Sequence, residues 1–221
     1  MALSKEELDR RVNLLIGAAY LKNGQLNLAF DFFKSIGDKV KIAECGQAFF
    51  NSGDLYFAYQ AFEMVDDKVK LADCGNAFLK KRDFTNAVLA FKAADFLAEL
   101  LRCGSTCLKN GEFFLGSLSY EEAGRKIPRN KLIECGKVCL KKGRFDYARK
   151  SYEAAGVEIT RDELIECGEV CLEQGYLYTA LECFEAAKSR GGLSKCGEVS
   201  LMCSQNDLAH KAFEALVLLE E

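Results

Sequence analysis

Cysteine supplies the most concentrated chemistry in this chain. Six of its 11 thiols stand immediately before a glycine: Cys45, Cys74, Cys103, Cys135, Cys167 and Cys196. Three more follow four residues later, so that Cys103/Cys107, Cys135/Cys139 and Cys167/Cys171 are i, i+4 pairs. On a helix that spacing puts two thiols on one face. Two thiolates so placed are half of a zinc site, and the other half has to come from a neighbouring helix. The loop-borne Cys-x-x-Cys pairs of ordinary zinc modules are absent. Disulfides between neighbouring helices are disfavoured, because helix axes pack about 8–10 Å apart and a disulfide needs Cα atoms within about 7 Å. The odd count and the helical intervals point to reduced thiols in a cytoplasmic or nuclear protein. Cys183 and Cys203 read as packing positions. No metal and no cofactor is expected.

Other reactive groups are sparse. His210 is the one histidine and has no acid–thiol constellation beside it in sequence. The chain has no phosphate-loop glycine pattern, no Ser-His-Asp set and no paired-carboxylate motif. It is not expected to be an enzyme.

The cysteines are positioned by a repeat. The stretch Ile133–Ala148 returns almost unchanged at Ile165–Ala180, and weaker copies run to both ends. One glycine anchors each copy, at Gly17, Gly46, Gly75, Gly104, Gly136, Gly168 and Gly197, with gaps of 29, 29, 29, 32, 32 and 29 residues. Twelve residues after each anchor stands a small residue: Ala29, Ala58, Ala87, Gly116, Ala148, Ala180 or Ala209. Four further on is an aromatic: Phe33, Phe62, Phe91, Tyr120, Tyr152, Phe184 or Phe213. Seven after the anchor comes a turn residue, glycine in five repeats and Arg82 or Ser204 in the others.

A period near 30 with two helical segments per copy predicts helix pairs stacked as an all-α, right-handed solenoid in one domain. The repeats span approximately 10–38, 39–67, 68–96, 97–128, 129–160, 161–189 and 190–217. A single proline agrees with nearly continuous helix. Small residues let the first helix (A) and second helix (B) of a repeat approach closely. The aromatic fills the space toward the next repeat, and the turn glycine adopts positive φ. Ser4 and Glu7 have capping-box spacing, with Leu3 and Leu8 as a hydrophobic staple. The first B helix reads as Leu26–Ser35.

These offsets resemble the tetratricopeptide repeat, whose pattern is an apolar or aromatic residue, Leu-Gly-x-x-Tyr, a distant Ala, then Phe, then Pro. The glycine and aromatic positions match in all seven copies, and the alanine position is alanine in six and Gly116 in the fourth. Cysteine replaces the usual leucine in six, tryptophan never occurs, and the period is 29 or 32 rather than 34. The resemblance implies buried cysteines that act as small apolar residues. It also implies a concave groove lined by the A helices that binds a protein or peptide.

The groove positions one and five residues after the anchor carry Gln47, Asn51, Asn76, Lys80, Ser105, Lys109, Lys137, Lys141, Glu169, Glu173 and Glu198. The rows turn from amide-bearing to basic to acidic. They favour a segment that is acidic over the middle repeats and basic toward the last ones. Some family members grip a terminal carboxylate, but the matching positions here hold Leu14, Ala18, Glu44, Val69 and Asp73, which cannot do so. A net charge of −3 argues against nucleic acid. No apolar run reaches the roughly 18 residues of a membrane span. The apolar last helix, followed only by Glu220 and Glu221, suggests end-to-end self-association or a structural spacer as the alternative role.

Overall fold

The computed structural model describes residues 4–219. Leu3, Glu220 and Glu221 lie outside them, and with them the proposed staple and terminal glutamates. Fourteen helices and no strand are present among the described residues. In chain order, A and B alternating, they are α1 (Lys5–Lys22) and α2 (Leu26–Ser35), α3 (Lys39–Ser52) and α4 (Leu55–Val65), α5 (Lys68–Lys80) and α6 (Phe84–Ala94), α7 (Leu97–Lys109) and α8 (Phe113–Glu122), α9 (Arg129–Lys141) and α10 (Phe145–Ala155), α11 (Arg161–Glu173) and α12 (Leu177–Ala186), α13 (Arg190–Met202) and α14 (Asn206–Leu218).

Contacts divide the chain into two compact units, residues 1–104 with 119–124, and residues 105–118 with 125–221. In the first unit α1/α2, α3/α4 and α5/α6 pack as pairs, and each B helix α2 and α4 packs on the following A helix. In the second unit α9/α10, α11/α12 and α13/α14 pair likewise, while α11 also packs on α9 and α13.

The pairing follows from the anchor glycines. A Cβ on Gly168 would meet the ring of Phe184 at 2.5 Å, and on Gly46 it would meet Phe62 at 2.9 Å. The same clash arises at Gly17, Gly75, Gly136 and Gly197 with the aromatic sixteen residues on. The aromatic therefore seats first on its own repeat's A helix, rather than chiefly between repeats as its spacing suggested. Phe184 does both, because its other side closes on Gly192 of the next A helix. The small residues twelve after the anchor, from Ala29 to Ala209, are buried beside it.

Each A helix ends the same way. Gly24, Gly53, Arg82, Gly111, Gly143, Gly175 and Ser204 all have positive φ. The next N–H returns to the carbonyl three after the anchor, as in Asp54 N to Phe49 O at 2.9 Å and Tyr176 N to Cys171 O at 2.8 Å. This 6→1 bond is a Schellman closure. A second left-handed position recurs twenty residues after the anchor, at Gly37, Asp66, Asp95, Gly124, Gly156 and Lys188. There the aromatic's own carbonyl accepts the closing bond, as in Asp67 N to Phe62 O at 3.0 Å. The three extra residues of the 32-residue gaps fall in extended segments, 125–128 and 157–160.

Helix starts agree in part with the sequence. Ser4 Oγ accepts from Glu7 N at 3.1 Å, but the Glu7 carboxylate takes Arg11 Nε at 3.0 Å instead of closing the box. A complete capping box stands at Thr160/Glu163.

Candidate functional site

The A helices carry most of the thiols. Ten of the 11 cysteines are buried and none is in a disulfide; Cys203 is exposed, contrary to its reading as a packing residue. Burial pushes the Cys45 thiol up to about 11 and the Cys74 thiol up to about 12. These thiols are inert packing groups. Cys139 and Cys171 do more than fill space. The Cys139 thiol donates to Gly111 O at 3.3 Å, and Cys171 donates to Gly143 O at 3.4 Å. Each ties its helix to the turn of the preceding repeat. A turn glycine is needed there, since a Cβ on Gly143 would stand 3.1 Å from Cys171 Sγ.

Beside this ridge lie the predicted groove residues, taken unit by unit. In the first unit Gln47 Nε2 donates to Asn51 Oδ1 at 2.8 Å on α3. On α5, Asn76 Nδ2 donates to Ala72 O at 3.1 Å, and its Oδ1 accepts from Arg102 Nη2 of α7 at 2.6 Å. Lys80 is exposed at the end of α5.

In the second unit Ser105 accepts a hydrogen bond from Lys131 of α9, and Lys109 is exposed. Lys137 faces Glu163 of α11 at 3.9 Å. Lys141, Glu169 and Glu173 are exposed, and exposed Glu198 accepts from Ser194 Oγ at 3.0 Å.

The two rows thus separate. The positions one after the anchor are largely engaged by the following A helix: Asn76 by Arg102, Ser105 by Lys131, Lys137 by Glu163. The positions five after it project outward. Arg102 stands two residues before its anchor, a position the spacing also assigns to the groove, whereas Lys131 and Glu163 stand five before theirs, which it does not.

A hollow of about 200 Å³ opens between α9 and α11, lined by Lys137, Leu140, Lys141, Glu163, Glu166 and Cys167. Its polar wall is preset. Burial opposes ionisation of Glu163, but hydrogen bonds from the Thr160 N–H, the Tyr152 hydroxyl and the Thr160 hydroxyl, with the Lys137 charge, hold its carboxyl below the ordinary carboxylate range. The hollow therefore offers fixed charges of both signs around an apolar floor. His210 sits 80% exposed on α14 with Glu214 at 3.9 Å, with no thiol or second base in that pair.

Beyond the i, i+4 pairs, the structure adds a thiol that spacing did not reveal. Cys183 of α12 joins Cys167 and Cys171, with the three sulfur atoms within 4.8 Å of one another and all buried. No described helix is long and apolar enough to cross a membrane.

No protein-family model matches the chain, and no curated protein matches it. Among solved structures, one titled "Circular tandem repeat protein with novel repeat topology and enhanced subunit contact surfaces" is similar over 95% of this chain and 50% of its own, at 13% identity and a TM-score of 0.21. This chain thus spans half the length of that protein, and the two do not superpose closely.

Proposed function

We propose that this chain is a non-enzymatic interaction scaffold of tetratricopeptide-like repeats that binds an extended peptide or partner protein along the exposed face of its A helices. The hollow between α9 and α11 carries this reading. It places two lysines beside an apolar floor, and Lys137 is held only by a 3.9 Å contact that a ligand carboxylate readily replaces. The exposed acids of α11 and α13, Glu169, Glu173 and Glu198, follow along the same series of helices. A segment with an acidic residue over α9 and a basic one over α11–α13 matches them. Buried reduced thiols suit a reducing compartment, and the acidic net charge disfavours nucleic acid.

The test is charge reversal. Peptides selected on the wild-type chain are measured against the double variant Lys137→Glu/Lys141→Glu and against Glu182→Lys on the exposed side of α12. We expect about a tenfold or greater loss for the α9 variant, about 1.4 kcal/mol, and none for the α12 variant. Equal affinity across all three contradicts the assignment.

A second reading is self-association. Leu201, Met202, Val217 and Leu218 of the last repeat are exposed, Met202 at 82%. So are Leu8, Val12 and Leu15 on α1. Such apolar surface favours joining like copies end to end.

A further inference from the structure

The thiol cluster on α11 and α12 lies outside the peptide-binding reading, and its parts are placed for a different task. Cys167 and Cys171 come from one face of α11, Cys183 comes from α12, and each is at most 1% exposed. Their three sulfurs fit within 4.8 Å. Three thiolates around one ion with metal–sulfur bonds of about 2.3 Å stand about 4 Å apart in a trigonal plane. Small side-chain adjustments close the present triangle to that size.

Comparison among repeats shows what is special here. Fifteen residues after the anchor stand Ser119, Ser151 and Cys183 in the fourth, fifth and sixth repeats. Cys135 and Cys139 keep the α9 pair, but Ser151 donates its hydroxyl to Leu132 O at 2.8 Å. The sixth repeat alone has three sulfurs at these three positions. If packing were the whole role, serine would serve there as it does at 151.

We propose that Cys167, Cys171 and Cys183 form a buried three-coordinate site for a soft monovalent metal ion of the copper(I) class. Soft thiolates select such ions, whereas structural zinc takes four ligands, and the described cluster offers three. Binding replaces the three S–H protons, including the one Cys171 shares with Gly143 O, by metal–sulfur bonds and releases them to solvent, with no change in oxidation state. The hollow between α9 and α11 has Cys167 in its lining and supplies the route of entry.

The test uses the full chain, reduced and anaerobic, refolded with copper(I) and then challenged with bicinchoninate as competitor. Retained copper is counted, and its sulfur neighbours are read by X-ray absorption. The wild type should keep one copper with three sulfurs. Cys183→Ser, which copies the natural residue at 151, should lose that species, and Cys139→Ala should keep it. Ser151→Cys should gain a second three-sulfur copper, a readout that stands even if Cys183→Ser fails to fold. No three-sulfur copper in the wild type overturns the site. So does its persistence in folded Cys183→Ser, or a count in Ser151→Cys equal to the wild type.

Discussion

A glycine and an aromatic sixteen residues apart set the distance between the two helices of each repeat. The ring of Phe184 lies where a Cβ on Gly168 would project, at 2.5 Å, and its far side is closed by Gly192. The ring has no room to yield, so Gly168→Ala should cost about 1–3 kcal/mol, measured by urea unfolding. Gly191→Ala, where a Cβ meets nothing within 4 Å, should cost far less. Equal losses contradict the seating. The thiols make a second test at this scale. Cys203 is exposed and the other ten are buried, so a thiol reagent should label one site quickly in the native state and all 11 after denaturation. Residue types were legible in the sequence: the anchor, the small residue and ten of the cysteines are buried as their spacing assigned, whereas the aromatic seats on its own A helix and Cys203 is exposed. Partners were not. Lys137 finds Glu163 across the gap between helices, and Cys183 joins two thiols from another helix. Offsets along one helix do not reveal which side chain of the next one reaches back.

At the scale of the element, the helices are defined by how they end. The B helix Leu26–Ser35 is as the sequence predicts, because Asn23-Gly24 and Gly37-Asp38 mark both sides of it. The left-handed position twenty after the anchor is harder to read, since Asp66, Asp95 and Lys188 occupy it in place of glycine. Aspartate visits this conformation more readily than most residues, and Lys188 does not share that tolerance. Ser204 has φ 58 at the turn position that is glycine in five repeats. Ser204→Gly should therefore raise stability by about 1 kcal/mol, seen as a higher urea midpoint, and a fall contradicts the strain. The start of α11 gives a pH test. Glu163 has a depressed carboxyl, so its contribution is present above the unfolded carboxylate value, about 4.3. It is lost as pH falls through the lower folded value. Glu163→Gln keeps a capping-box side chain but removes the charge. It should be less stable than wild type at neutral pH, and the gap should close on acidification. A gap independent of pH contradicts the charge argument.

For the whole molecule, the period was the most legible feature, and it yields the seven helix pairs directly. The division into two compact units was not legible, because the repeat pattern runs unbroken through residues 104–125 while the contacts do not. The exposed apolar residues of the last repeat predict concentration-dependent association. Sedimentation should show it for the wild type and lose it in Val217→Glu/Leu218→Glu, while a monomer at all concentrations removes the second reading. The central claim, that the A helices carry the recognition surface, is tested most directly by amide NMR mapping of a selected peptide on the labelled chain. The account predicts shifts concentrated in α9, α11 and α13, centred on Lys137, Lys141, Glu169 and Glu173, with α10, α12 and α14 little changed. Shifts centred on those B helices would contradict it.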